Sequence, residues 1–303
     1  MSRTMPTTAL VHRQAASART IRCVAAMAIA AVLGLQGLPA TAQESTPPPL
    51  PPETYADLAD LSDASQLVVR ARVTKQAELE PERAAGVAPG HVRLYLEAET
   101  LALIAGNVPV GAALRYLVDV PRDARGRAPK LRKNEVLLFA RAVPGQPGAI
   151  QLVAPDSQLA WSTELEARLR PILAALVAPD APPKVTGIRD ALSIAGNLTG
   201  ESETQVFLRT QDGAPLALSV VRRPGGAPAW GVSYSEIVDQ AVRRPEPQSL
   251  GWYRLACFLP PQLPGGANLS TGSADRARAD TDYRFVIEQL GPCQRTRTPP
   301  PGL

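Results

Sequence analysis

Histidine is nearly absent from this 303-residue chain: only His12 and His91 occur. That shortage excludes a histidine-rich metal site and paired-histidine chemistry, and no HExxH is present. Nucleophile motifs are missing as well. There is no GxSxG, and none of the four lysines follows a serine by three residues, so SxxK is absent. GxGxxG and a Gly-Lys pair are lacking too, which removes the usual phosphate loops. No metal and no cofactor are expected. Long apolar runs are equally scarce, and one stretch near the start comes closest, "VAAMAIAAVLGLQGL" (24–38).

That run follows Arg3, Arg13, Arg19 and Arg22 with no acidic residue among them, and precedes "PATA" with its small Ala40 and Ala42. Basic, apolar, then small-x-small is the pattern of a secretory signal peptide. Some 15 residues fall short of the ~20 that span a bilayer. A signal peptide over 1–42 is expected, giving a periplasmic or secreted chain without a stable membrane span. Its loss removes four of the 32 basic residues and leaves 28 against 28 acidic ones. A neutral mature chain offers no global basic field, so no nucleic acid is expected as a partner.

Next comes a Pro-rich leader over 43–54, carried by "STPPPLPPET" (45–54). Tyr55, Leu58 and Leu61 recur at helical spacing. Strand alternation follows in 67–74, 91–103, 114–120, 135–143 and 149–154, the fourth nearly continuous and so more buried. Five strands without a helix between them predict a small five-stranded OB-like β-barrel over 55–158. An α+β domain is expected over 159–294. It opens on a helix with Ser162 as N-cap, an apolar stripe from Leu165 to Leu176 and a kinking Pro171. Strands at 184–194, 203–210, 215–223 and 229–237 predict an antiparallel meander. Helices near 248–258 and 273–290 flank it, the second capped by Ser273, and a disordered tail is expected over 295–303. The predicted fold class is therefore α+β.

Three sets of residues bear on chemistry. His91 opens a strand after a turn, with no nucleophile or acid in sequence reach, and reads as a surface histidine. Glu97 and Glu99 share a strand face with Arg93, which reads as a solvated surface, and "DTD" (280–282) scatters around a helix. The loop "PRDARGRAPKLRK" (121–133) concentrates charge: Arg122, Arg125, Arg127, Lys130, Arg132 and Lys133 against Asp123 alone. Binding loops on a rigid scaffold are common, and in an envelope such a loop would meet an anionic component or another envelope protein. Few aromatics lie near it, which weakens base stacking.

Cysteine answers a separate question. Cys23 lies in the expected signal peptide, so Cys257, in "GWYRLACFLP", and Cys293 remain as an even pair in an export compartment. A bridge would close a loop of about 37 residues, worth roughly 4 kcal/mol on chain entropy. A cysteine nucleophile would need a base, and His91 lies in the other expected domain. The staple is the preferred reading.

The stretches "YADLADLSDASQLVVRARV…EPERAAGVAPGHVRLYLEAET", "YLVDVP…PKLRKNEVLLFAR" and "WYRLACFLPP…DYRFVIEQLGPC" resemble a group of uncharacterised exported proteins of sphingomonad-type bacteria. The resemblance implies a Gram-negative envelope setting and carries no activity and no functional residue. Two functions stay open: a non-enzymatic binding or interaction protein of the envelope, and a divergent hydrolase using paired carboxylates in a cleft between the two domains.

Overall fold

The computed structural model describes residues 52–235 and 243–302. The expected signal peptide and most of the expected leader lie outside the described residues. By contacts the chain divides into Met1–Pro49 and Leu50–Leu303, and every described residue belongs to the second unit.

Helix α1 (Tyr55–Ala64) starts in a capping box: the Thr54 hydroxyl accepts from the Asp57 N–H, and the Asp57 side chain accepts from the Thr54 N–H. Strands β1 (Leu67–Glu78), β2 (His91–Gly106), β3 (Ala113–Pro121), β4 (Glu135–Ala142), β5 (Ile150–Leu152) and β6 (Gln158–Ala160) form one antiparallel sheet. Its order is β3-β2-β1-β4-β5, with β6 also on β4. A meander of three strands with the fourth returning beside the first is a Greek key. Alternate side chains of the sheet enclose one core: Leu67, Val69 and Ala71 from β1, Leu94 and Leu96 from β2, Leu138 from β4.

The expected closed barrel is not found. Between β3 and β5 there is only an isolated parallel bridge, Arg115 with Ala149, beside the bonds from Arg115 N–H to Gly148 O (2.8 Å) and Asp119 N–H to Pro155 O (2.7 Å). β5 is three residues long because Pro144, Pro147 and Pro155 border it, and proline cannot donate to a ladder. The edges still come close. Gly148, at φ +76°, sits where a Cβ would lie 2.9 Å from the Ala113 carbonyl oxygen.

β4 is buried on both faces, as its continuous apolar run predicts. Val136, Leu138 and Ala140 enter the sheet's core, while Leu137 and Phe139 enter a second cluster with α1, α2 (Thr163–Leu176) and α3 (Leu250–Ala256). α2 is capped by the Ser162 hydroxyl, which accepts from Leu165 N–H, and it carries Pro171 within it. Residues on both sides of the expected 158/159 boundary share this second cluster.

A second antiparallel sheet, in the order β10-β9-β8-β7, comprises β7 (Val185–Ala195), β8 (Ser202–Thr210), β9 (Ala217–Arg222) and β10 (Ala229–Ser233). Part of the expected 229–237 strand lies outside the described residues. α4 (Ser273–Leu290) packs on this sheet through Tyr283, Val286 and Leu290, in a third cluster that includes Leu255 of α3. Ser273 is the first residue of α4 rather than its cap; Gly272 holds the cap position without a side-chain bond, and Asp275 supplies first-turn negative charge. The molecule is mixed α+β, mostly strands. No helix among the described residues is long and apolar enough to cross a membrane.

The C-terminal residues correct the expectation of a disordered tail. Arg295, Thr296 and Arg297 bond to α1 and to Asp156. They are held there by the Cys257–Cys293 disulfide, whose Cα atoms are 5.0 Å apart, which anchors the end of α4 to the end of α3. Reduction is expected to lower unfolding stability by about 2–4 kcal/mol. Denaturant titration with and without reductant checks this, and an unchanged midpoint would contradict it.

Candidate functional site

The predicted basic loop is well defined, and its charges divide into two groups. Gln76 of β1 clasps it: the Gln76 Nε2 donates to Pro129 O at 2.7 Å, and the Leu131 N–H donates to Gln76 Oε1 at 2.8 Å. Lys133 adopts a left-handed backbone, φ 75°, while its N–H bonds to Val73 O at 2.8 Å. In the first half, charges are internally matched. Arg122 pairs with Glu78 at 2.5 Å. Asp123 accepts from the Arg127 N–H at 2.8 Å, the Arg125 N–H at 2.9 Å and the Arg127 guanidinium at 3.0 Å. These contacts, led by the Arg127 backbone, hold the Asp123 carboxyl below its ordinary value. In the second half Lys130, Arg132 and Lys133 are exposed.

The neighbouring 79–90 loop meets this one through the bond from Arg122 N–H to Gly90 O at 2.8 Å, and Arg93 pairs with Asp119 at 2.7 Å below them. Glu80 and Glu82 are exposed on that neighbour, so an acidic flank lies beside the basic one. His91 is also exposed, its Nδ1 3.2 Å from Pro89 O. Glu97 and Glu99 pair with Lys75 (2.8 Å) and Arg72 (3.6 Å), as a charge-mixed surface would.

Sequence reasoning missed a buried network on α1. Asp57, Asp60 and Asp63, each three residues after the last, all point into protein. Asp57 accepts from the Thr296 hydroxyl at 2.7 Å and the Arg297 N–H at 3.1 Å. Asp60 accepts from the Tyr253 hydroxyl at 2.7 Å and Arg295 Nε at 2.6 Å. Asp63 takes both Arg254 Nη atoms, at 2.9 and 3.0 Å, and Lys184 at 2.9 Å. Burial pushes the Asp57 carboxyl up, but the bonds from Thr296 and Thr54 outweigh it and hold the carboxyl below its ordinary value. Burial likewise opposes ionisation of Asp63, and Arg254 and Lys184 outweigh it. Burial, then the Asp60 charge, drives the Tyr253 phenol far up, so it stays a donor.

A second missed group centres on Asp282 of α4, which has no exposed surface. It accepts from Arg222 of β9 and from the Thr204 hydroxyl at 2.5 Å. The signal was present: Asp282 lies on the same helical stripe as Ala279, Tyr283 and Val286, an acidic residue facing the core.

No group of three or more His, Cys, Asp or Glu residues able to hold a metal ion lies among the described residues. A depression of about 870 Å³ between α1, α2 and the β1–β2 end carries one carboxylate on its walls, Asp63. Compared with known proteins, the chain matches no family and no curated sequence.

Asp63→Ala should cost about 3–5 kcal/mol, because it strands the buried Arg254. Lys184→Ala, which removes a half-exposed partner, should cost at most about 1 kcal/mol. Asp57 and Asp63 titrate lower in the folded chain than their unfolded value of about 3.9. Their contribution is therefore complete above that pH and lost as pH falls toward the folded values. Denaturant titrations from pH 7 to 3 should show this acid limb, and a shallower one in Asp63→Ala; equal costs for the two variants would contradict the pairing.

Proposed function

We propose that this chain is a non-catalytic binding protein of the cell envelope, exported by its leader, that engages an anionic envelope component. The contact surface is the β3–β4 loop, with Lys130, Arg132 and Lys133 as its working residues. The observation that carries this reading is the Gln76 clasp, which holds the loop on β1 while those three side chains stand exposed. A preformed loop loses less entropy on binding than a floppy one. The paired first half of the loop acts as scaffold.

The curled sheet supports the same reading. Its Greek-key order, with β3 brought against β5, suits a partly open barrel of OB type, and such barrels bind polymers through strand faces and end loops. Binding fits better than hydrolysis because the buried carboxylates are spent on structure. Asp57, Asp60, Asp63 and Asp282 each accept from two or more donors on other elements. The resemblance to exported sphingomonad-type proteins agrees with an envelope setting.

Co-sedimentation with phosphatidylglycerol vesicles and with an acidic polysaccharide tests the proposal. Binding to one of the two should weaken steeply with salt. At about 1 kcal/mol per basic residue near an anionic surface, replacing Lys130, Arg132 and Lys133 by alanine should lose roughly 100-fold in affinity. Unchanged binding in that variant, or no binding to either probe, would overturn it.

A further inference from the structure

At the far end of the second sheet, the β7–β8 turn, the end of β9 and one face of α4 enclose a depression of about 630 Å³. That volume falls within the ~300–1,000 Å³ range of small-molecule sites. Arg222 and Arg278 both line it, from β9 and α4. Each guanidinium is held from behind. Arg222 gives its Nε (2.7 Å) and Nη2 (2.6 Å) to the buried Asp282 Oδ1, and Asp282 is itself fixed by the Thr204 hydroxyl. Arg278 gives its Nη1 to Asp275 Oδ1 at 2.6 Å and to Ser193 Oγ at 3.4 Å, and the Ser193 and Thr204 hydroxyls are hydrogen-bonded to each other at 2.8 Å. One hydrogen-bonded chain thus orients both cations.

Neither fork is used up. Arg222 Nη1 and Arg278 Nε and Nη2 have no acceptor among the described residues, and these planar donors match a carboxylate in geometry. The turn makes the opposite wall. Gly196 lets the Glu201 side chain fold against the backbone, where a Cβ would lie 2.4 Å from Glu201 Cγ, and Glu201 Oε2 accepts from Leu198 N–H at 3.2 Å. Asn197 and Thr199 are exposed beside it, able to donate to and accept from hydroxyl groups.

Charge selects the ligand. Two guanidiniums face three carboxylates, those of Asp275, Asp282 and Glu201. This balance opposes a phosphate dianion most strongly, so a single carboxylate on a neutral, hydroxylated body is held by the directed, unused guanidinium donors rather than by net charge. We infer that this pocket binds a hydroxylated monocarboxylate of the uronic-acid type, with Arg222 and Arg278 clamping the carboxylate and Asn197 and Thr199 meeting ring hydroxyls. This site is separate from the β3–β4 loop and goes beyond that reading.

Amide chemical-shift titration of the full ¹⁵N-labelled chain with glucuronate, glucose and inorganic phosphate tests it. Glucuronate should move resonances of 196–202 and 277–281 saturably, glucose should move none, and phosphate should bind more weakly. Arg278→Gln should weaken glucuronate at least ten-fold. Asn197→Ala and Thr199→Val, both on the exposed turn, should each weaken it about three-fold, which keeps the test valid if Arg278→Gln disturbs folding. Wild-type affinity in all three variants, shifts elsewhere, or tighter binding of glucose or phosphate would each overturn the proposal.

Discussion

Three carboxylates on one face of a ten-residue helix hold this molecule together. α1 presents Asp57, Asp60 and Asp63 in a row, and each meets a different part of the chain. Asp57 holds the C-terminal segment at Thr296 and Arg297, Asp60 the Tyr253 phenol and Arg295, and Asp63 both Arg254 and the start of the second sheet at Lys184. A buried charge is tolerated only when paired and hydrogen-bonded, so each contact constrains the geometry of the others. α3 is the shared partner. Its Tyr253 packs in the cluster under the first sheet, its Leu255 in the cluster under the second. The disulfide next to it then keeps the C-terminal residues within reach of α1.

This arrangement sorts the ionisable groups by role. The carboxylates of Asp57, Asp60, Asp63 and Asp282 are committed to Arg, Lys, Tyr and Thr donors inside the fold. Cys257 and Cys293 are joined. Two sets of cations are positioned at the surface: three residues on a clasped loop, and two arginines braced from behind. Both features are organised by a side chain beneath them, Gln76 in one case and Asp282 in the other.

Much of the fold was legible because it is written in local periodicity. The alternation in β1 to β4, the stripe of α2 with its Ser162 cap, and the meander of β7 to β9 emerge where residue spacing predicts them. The limits came from long-range packing. Val68 lies on the polar-looking face of β1 yet is buried, in the cluster it shares with the neighbouring α1 and with α2 and α3, which come from far along the chain. Closure of the barrel depended on β5, which its flanking prolines keep short. The basic loop was visible as composition, but its division by Glu78 and Asp123 was not. The α1 carboxylates resembled the solvent face of an amphipathic helix, and their Tyr and Arg partners lie some 190–240 residues away. Even so, those acids had no basic residue within the helix to pair with, and that is a readable hint.

The central claim is that the α1 carboxylates and α3 couple the two sheets into one cooperative unit. Native-state hydrogen exchange tests it most directly. The slowest amides of α1, β4 and β8 should open with a common free energy and a common dependence on denaturant. If the β8 amides instead opened at a distinctly lower free energy while α1 and β4 stayed protected, the two sheets would be separate units and the coupling would be refuted.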